Sequence, residues 1–257
     1  MHVIHQTAIV DNKAEIAEDV QIGPYCIVEG GVRIGAGSRL ESHVVVQGNT
    51  FIGEGCTVSP FASIGGPPQD IGYKYEPTRV VIGRNNTIKE YVTINRGTMK
   101  GGGVTEVGDN NFIMAYAHIA HDCKVGNNII MANGATLAGH VEVSDFVIFS
   151  GLCAVHQFCR VGKYAFISGL TGIPKDVPPF VIAAGDRAKL YGLNLVGLER
   201  RNFPKEEIVK LKKAYRILFR SALPLKTSLK IIREELDGDN IGYLIEFIES
   251  STRGICR

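Results

Sequence analysis

Three histidines lie close together in the chain, at His118, His121 and His140, and Asp122 directly follows the second of them. An imidazole titrates near neutral pH, so it can take a proton from a substrate hydroxyl, and a neighbouring carboxylate can hold it in one tautomer. Three imidazoles can also bind zinc, which takes nitrogen ligands in tetrahedral sites. The residue types therefore leave two chemistries open, proton transfer by His121 and a zinc centre, and the elements that carry these side chains must decide between them.

A repeat of six residues determines where these side chains lie. A large aliphatic residue recurs at every sixth position from Ile4 to Ile64, and a second phased series of apolar residues runs from Val107 to Ile173. This hexapeptide pattern predicts an all-β solenoid, a parallel β-helix with about 18 residues in each coil. The strands of a β-sandwich would instead alternate residue by residue. Glycine after the aliphatic residue, as at Gly35, suits tight turns with positive φ.

Coil arithmetic places the polar residues in columns. A step of about 18 residues moves one coil along the solenoid, roughly 4.8 Å. Asp122 and His140 then share one column, and His121, Gly139 and Gln157 share the next. Because glycine leaves space beside the histidine, the columns predict a polar pocket with a backbone N–H group near it.

The same phases disfavour a metal site. His118 and His121 lie in different turn phases, and His140 shares its column with Asp122. We therefore expect neither a metal nor a cofactor, although a zinc-dependent hexapeptide-solenoid enzyme of the carbonic anhydrase type remains an alternative. A non-catalytic trimeric scaffold is a third hypothesis, and it predicts that removal of His121 changes stability alone.

The repeat is interrupted twice and then ends. The segments 65–79 and 97–106 are rich in glycine or proline, and we expect them to project as loops, where binding residues tend to lie. We assign residues 1–185 to the hexapeptide-repeat β-helix. Helical periodicity after Pro179 predicts a small C-terminal α-helical domain over 186–257 that caps the open end.

Composition limits the classes of protein further. The 257 residues include 28 basic and 26 acidic side chains, and the net charge of +2 gives no general attraction to nucleic acid or to membranes. No apolar run reaches the roughly 18 residues of a transmembrane helix, and the N-terminus lacks the basic-then-apolar order of a signal peptide. We therefore expect a cytoplasmic protein with no integral membrane segment and no nucleic-acid partner.

The cysteines are explained by packing. Five of the six fall at the small inward position of a hexad, so we expect them in the core. Cys123 lies two residues after His121, which suggests a nucleophile, but its inward phase argues for an inert buried thiol.

Three short motifs carry a family resemblance: HIAHDC over 118–123, ATLAGHV over 135–141 and AVHQFC over 154–159. With them the chain resembles, over essentially its whole length, the UDP-N-acetylglucosamine acyltransferases of lipid A synthesis. The resemblance implies a left-handed β-helix and a homotrimer with sites between subunits. It also implies direct transfer of a (3R)-3-hydroxyacyl chain from acyl carrier protein to the 3-position of UDP-N-acetylglucosamine.

The resemblance also assigns roles to residues. It makes His121 the general base, Asp122 its support and the Gly139 N–H group the donor to the oxyanion. Gly169 matches the position that limits acyl length, and Asn194 and Arg201 match positions that bind uridine diphosphate. The full set of implied substrate-binding residues is Gln69, Asp70, His118, His140, Gln157, Gly169, Asn194, Arg200 and Arg201.

Two positions depart from the family pattern. Gly72 stands where many relatives carry lysine, with Lys74 displaced, and Asn95 stands where some have histidine. Because some members acylate a 3-amino sugar, an amide product is an alternative to the ester. The basic stretch 199–220 is predicted to dock the acidic acyl carrier protein.

Overall fold

The computed structural model describes residues 3–257. The strands are β1 (Val3–Ile4), β2 (Ile9–Val10), β3 (Glu15–Ile16), β4 (Gln21–Ile22), β5 (Ile27–Val28), β6 (Arg33–Ile34), β7 (Arg39–Leu40), β8 (Val45–Val46), β9 (Asn49–Ile52), β10 (Thr57–Val58), β11 (Ser63–Gly66), β12 (Arg79–Ile82), β13 (Thr87–Ile88), β14 (Thr93–Asn95), β15 (Val104–Val107), β16 (Phe112–Ile113), β17 (His118–Ile119), β18 (Lys124–Val125), β19 (Ile130–Met131), β20 (Thr136–Leu137), β21 (Glu142–Val143), β22 (Ile148–Phe149), β23 (Ala154–Val155), β24 (Arg160–Val161), β25 (Phe166–Ile167), β26 (Gly172–Ile173), β27 (Val181–Ala184) and β28 (Lys189–Leu193). The helices are α1 (Leu195–Arg200), α2 (Lys205–Phe219), α3 (Leu225–Glu235) and α4 (Asp239–Glu249).

The strands form three sheets, which are the faces of a triangular solenoid. Face A runs β1-β4-β7-β10-β13-β16-β19-β22-β25-β27-β28, face B runs β2-β5-β8-β11-β14-β17-β20-β23-β26, and face C runs β3-β6-β9-β12-β15-β18-β21-β24. Corner 1 joins face A to face B, corner 2 joins B to C, and corner 3 joins C to A. Along face B, His118 pairs with Thr136 and Thr136 with Ala154, all in parallel register. The two steps, from position 118 to 136 and from 136 to 154, are equal and match three hexads each, so the predicted hexapeptide solenoid is confirmed.

The apolar residue of each hexad points into the solenoid. Ile113, Met131 and Phe149 follow one another in register on face A, and none has exposed surface. Burial of each such side chain contributes about 1.5–3 kcal/mol. The five cysteines at small inward positions are free and buried, as predicted, and Cys256 in the C-terminal part is also free and buried.

The corners differ from the prediction in which residues adopt positive φ. Gly35 does not have positive φ. Glycine is required there by close packing of adjacent coils, because a β-carbon would lie 2.7 Å from the backbone nitrogen of Glu54. Bulky residues such as Tyr116 and Phe158 adopt φ of 63° and 64° instead. That conformation costs about 1–2 kcal/mol. Stacking along the corner, as between Tyr91 and Tyr116 at 4.9 Å, offsets part of the cost.

Both predicted loops leave the solenoid between strands. The first loop, residues 67–78, lies between β11 and β12, and the second loop, residues 96–103, lies between β14 and β15 and includes a 3-10 turn over Met99–Gly101. Thr93 pairs with His118 on the next coil, so the second loop makes this coil longer than the regular three hexads. Both loops emerge near corner 2, where β14 ends.

The chain reverses after the last parallel strand of face A. β27 and β28 pair antiparallel, so strand structure extends to Leu193, beyond the predicted boundary at residue 185. The helices pack around a second core that includes Leu211, Ile232 and Leu244. Helical periodicity predicts α2, α3 and α4, but α1 is too short to show a period. Within residues 3–257 no helix has both the length and the apolar character needed to cross a bilayer.

Candidate active site

His121 and Asp122 lie together at corner 2. His121 Nδ1 is 2.8 Å from Asp122 Oδ2. The carboxylate has no exposed surface, whereas 16% of the His121 side chain is exposed. A carboxylate only accepts hydrogen bonds, so Nδ1 of His121 donates and Nε2 is left to accept a proton. This is the geometry of a general base with the acid that orients it.

The other two histidines flank this pair. His118 Nδ1 lies 2.7 Å from Thr93 Oγ1. His140 Nε2 lies 3.6 Å from Asp122 Oδ2, and its ring stacks on Phe158 at 4.4 Å. Burial lowers the pKa of both His118 and His140 below the ordinary value for imidazole. Both rings are therefore neutral at pH 7 and can donate or accept hydrogen bonds.

Gly139 lies against the His121 ring, as the column predicts. A β-carbon on Gly139 would lie 2.6 Å from Cε1 and 2.8 Å from Nε2 of His121, so only glycine fits without displacing the ring. The Gly139 N–H group donates no hydrogen bond within residues 3–257, which leaves it available to a substrate oxygen. Gln157 follows one coil further along and is exposed.

Asp70 approaches this corner from the first loop. Its Oδ1 accepts a hydrogen bond from Gly72 N at 2.8 Å. Burial lowers the pKa of His140, and the charge of Asp122 and, more weakly, that of Asp70 oppose this shift. Gln69 beside Asp70 is exposed. Lys100 Nζ lies 3.5 Å from where a β-carbon of Gly72 would be, so the second loop supplies a cation where Gly72 has no side chain.

Asn95 carries an acceptor atom without a donor. Its Nδ2 donates to Pro67 O at 3.0 Å, and its buried Oδ1 has no partner in the described part of the chain. An unpaired buried polar atom costs about 1–3 kcal/mol. This atom is therefore open to an N–H or O–H group of a bound molecule.

The predicted nucleotide-binding residues lie at a different corner. Asn194 is the buried N-cap of α1, where its Oδ1 accepts from a helix N–H group and its Nδ2 donates to Tyr164 O at 3.0 Å. The Arg201 guanidinium lies 4.6 Å from the ring centroid of Phe146 at corner 3, and Arg200 is exposed. Within one chain, face C separates these residues from the histidines at corner 2.

Gly169 lies exposed at corner 1. Its φ is not positive, and a β-carbon there would make only an ordinary 3.5 Å contact with Gly151 O. The local backbone therefore does not require glycine, and the role of Gly169 in acyl length stays a prediction.

Three possible metal ligands meet at corner 2, but they are not the three histidines. Ligand atoms of His121, Asp122 and His140 lie within 4.8 Å of one another, and His118 is outside this group. Asp122 Oδ2 already accepts hydrogen bonds from His121 and from Thr98. The arrangement favours an oriented base over a zinc site with an open position.

Cys123 is unsuited to be a nucleophile. Its Sγ donates to Ala138 O at 3.1 Å, and burial raises the pKa of the thiol to about 12. The buried position expected from its inward phase is confirmed, and the raised pKa favours an inert thiol.

Sequence reasoning missed the threonines of the site. Thr93 contacts His118, and Thr98 and Thr105 contact Asp122. Thr93 pairs with His118 on the next coil. Because the second loop lengthens the coil between them, a step of 18 residues does not predict this pairing.

Known proteins resemble this chain over its whole length. A family model described as UDP-N-acetylglucosamine O-acyltransferase, domain 2, matches residues 176–256, and bacterial transferase hexapeptide repeats match 13–48 and 105–139. A protein of Thermodesulfovibrio yellowstonii named acyl-[acyl-carrier-protein]–UDP-N-acetylglucosamine O-acyltransferase is 59% identical over 258 residues and covers 100% of both chains. A protein of the same name from Janthinobacterium is 50% identical over 262 residues, again with 100% of both chains covered.

Solved structures agree with this result. The UDP-N-acetylglucosamine acyltransferase of Francisella novicida matches with a TM-score of 0.96 and 44% identity, covering 99% of this chain and 94% of that chain. The one from Bacteroides fragilis matches with a TM-score of 0.97 and 38% identity, covering 99% and 100%. The resemblance read from the motifs is confirmed, and so is the fold class, a left-handed β-helix with a C-terminal helical part.

Proposed function

Because the chain belongs to the acyl-[acyl-carrier-protein]–UDP-N-acetylglucosamine O-acyltransferase family, which performs the first step of lipid A biosynthesis, we propose that it transfers a (3R)-3-hydroxyacyl chain directly to the sugar 3-hydroxyl with His121 as general base. The observation that carries this mechanism is the His121–Asp122 pair, which leaves Nε2 of His121 free beside Gly139. Asp122 keeps the proton on Nδ1, so Nε2 is the basic atom.

The reaction needs two proton transfers at one nitrogen. Nε2 of His121 takes the proton of the 3-hydroxyl as that oxygen attacks the thioester carbonyl carbon of the acyl carrier protein. The carbon–sulfur bond then breaks, and the leaving sulfur takes the proton back from the imidazolium. Asp122 stabilises the imidazolium between these events, and general-base catalysis of this kind contributes about 10²–10⁴-fold.

The carbonyl oxygen gains negative charge in the tetrahedral intermediate. The Gly139 N–H group has no partner among residues 3–257 and lies beside the base, which supports its role as donor to that oxygen. His118, His140 and Asp70 surround the same corner and supply hydrogen bonds for the sugar and the acyl 3-hydroxyl.

The enzyme works as a homotrimer in which neighbouring subunits cover faces A and B. Outward residues on face C alternate in charge along successive coils, in the order Glu106, Lys124, Glu142 and Arg160. The matching row on face A is apolar, in the order Phe112, Ile130, Ile148 and Phe166. Corner 1 carries a ladder of stacked rings, Tyr25, His43, Phe61, Tyr91 and Tyr116. An apolar surface of this length favours cover by another copy of the chain.

This assembly completes the site. If face B of one subunit packs on face A of the next with the corner 1 ladders at the centre, corner 2 of the first subunit lies beside corner 3 of the second. The base His121 at corner 2 then meets Arg200 and Arg201 of the neighbouring copy, and a guanidinium suits a diphosphate. The apolar row of face A lines the path for the acyl chain.

The acyl carrier protein docks on the basic stretch. Lys210 pairs with Asp237 and Lys213 with Glu235, so these two lysines are neutralised within the chain. Arg216 on α2 is exposed and has no carboxylate partner in residues 3–257. Charge reversal at Arg216 should raise KM for the acyl-carrier donor and leave nucleotide affinity unchanged. Lys230→Glu on α3 is the control, and an unchanged donor KM for Arg216→Glu would reject this docking surface.

One transfer assay tests the mechanism. Purified protein is offered UDP-N-acetylglucosamine or its 3-amino analogue together with 3-hydroxyacyl donors of graded length, and the product is identified as ester or amide. The proposal expects ester formation by the wild-type protein, and near-complete loss in His121→Ala with its melting temperature and trimer mass unchanged. Full activity of His121→Ala would reject the mechanism. If only the amide product formed, the acceptor would be the 3-amino sugar and not UDP-N-acetylglucosamine.

A further inference from the structure

The second loop encloses the Asp122 carboxylate. The coil that runs from Thr93 to His118 is longer than the next one, from His118 to Thr136, and its extra residues fold over corner 2. A β-carbon on Gly97 would lie 2.8 Å from Asp122 Oδ1, and one on Gly101 would overlap Asp122 Cγ. The two glycines therefore let the loop backbone approach the carboxylate.

Thr98 contacts both oxygens of that carboxylate. Its backbone N–H donates to Oδ1 at 2.7 Å, and its hydroxyl donates to Oδ2 at 2.7 Å. The Thr98 oxygen also accepts a hydrogen bond from Gly101 N at 3.2 Å. A hydroxyl has one hydrogen, so with that acceptor position filled its hydrogen is committed to Asp122.

The backbone of Asp122 is fixed from the other side. Its N–H donates to the buried Thr105 hydroxyl at 2.8 Å, and its φ of 61° is the regular value for this corner position, repeated at His140 and Phe158. The second loop therefore holds both oxygens of the carboxylate, β15 holds the backbone N–H group, and Oδ2 also accepts from His121.

We propose that Thr98 is a positioning residue for the transfer reaction, acting through Asp122 on the orientation and tautomer of His121. Oδ2 of Asp122 accepts from Thr98 and from His121 at once, at 2.7 Å and 2.8 Å. Without the Thr98 hydroxyl, the carboxylate can turn away from Nδ1, and the His121 ring loses the partner that fixes its proton. The inference rests on the proposed role of His121 as general base.

The test compares Thr98→Val, Thr98→Ser and Thr50→Val. Thr50 is the matched control, because its buried hydroxyl donates to Gln47 O, and it lies two coils from Thr105 along face C. We expect Thr98→Val to lower kcat about 10- to 100-fold, as a misplaced catalytic group does, with KM for both substrates unchanged. Thr98→Ser should restore kcat, and Thr50→Val should change stability alone. If Thr98→Val fails to fold, kcat and KM are measured for Thr98→Ala instead.

A second readout separates positioning from mere support of the fold. ¹⁵N spectra of labelled histidine should show His121 protonated at Nδ1 in the wild-type protein and as a mixture of tautomers in Thr98→Val. The inference would be overturned if Thr98→Val had the same kcat and the same His121 tautomer as the wild-type protein. Activity in His121→Ala would overturn the proposed function instead, whatever the Thr98 variants show.

Discussion

A methyl group at Gly139 is a sharp perturbation of the proposed base. In Gly139→Ala the new carbon would lie 2.6 Å from Cε1 of His121, whereas ordinary carbon contacts are about 3.5–4.0 Å. The ring must therefore retreat by about 1 Å. Displacement of a catalytic group by about 1 Å costs roughly 10²-fold in rate, which corresponds to about 2.7 kcal/mol of activation free energy.

The assay is steady-state transfer from a 3-hydroxyacyl carrier donor. We expect kcat of Gly139→Ala to fall about 100-fold with an unchanged melting temperature. Because alanine keeps the backbone N–H group, such a loss reports displacement of the His121 ring and not removal of the oxyanion donor. Gly242→Ala in α4 is the control, since no atom lies within 4 Å of its β-carbon. A kcat of Gly139→Ala within about threefold of the wild-type value would refute the reasoning.

Three further predictions concern pH, the buried thiol and assembly. Burial lowers the pKa of His118 and His140. As the pH decreases below about 6.5, the unfolded chain therefore binds more protons than the folded chain, and the free energy of unfolding decreases. In urea unfolding, the free energy of unfolding of a double variant with His118→Gln and His140→Gln should depend less on pH than that of the wild-type protein. An unchanged pH dependence would contradict the lowered pKa values of these two histidines. Cys123→Ala should retain transfer because a thiol with a pKa of about 12 carries almost no thiolate at pH 7.5; a loss above about tenfold would restore the nucleophile hypothesis. Ile148→Glu on face A should reduce the solution mass to that of one chain and abolish transfer, whereas Glu142→Lys on face C should leave both unchanged.

The solenoid and the core of its site follow from the sequence because both depend on one period. Once the coil length is known, the pairing of His121 with Gly139 is arithmetic, and the structure confirms the contact. Cys123 is decided in the same way, since its phase places it inside.

The rest depends on residues that leave this period. Thr98 lies in a loop whose extra length breaks the phase, so its contact with Asp122 cannot be obtained by counting coils. Positive φ at Tyr116 belongs to a turn position that recurs at Asn110, Asp122 and Asn128, and the intrinsic preference of tyrosine does not predict it. Strand β28 is antiparallel and has no hexad, so a boundary drawn where the repeat fades falls short of it.

The corners of the solenoid suit catalysis for a reason that lies in the repeat itself. Strand residues use their N–H groups to bind the next coil, but the N–H group of a corner residue such as Gly139 has no partner in the part of the chain that the structure describes. Adjacent coils are about 4.8 Å apart, so a base on one coil and an N–H donor on the next can contact the attacking oxygen and the carbonyl oxygen of one ester linkage. His121 and Gly139 occupy two such positions, and the loop between β14 and β15 holds Asp122 behind them. The spacing of the backbone thereby sets the distance between the proposed base and the proposed oxyanion donor, which is why a methyl group at Gly139 should cost more activity than Glu142→Lys on the charged face C.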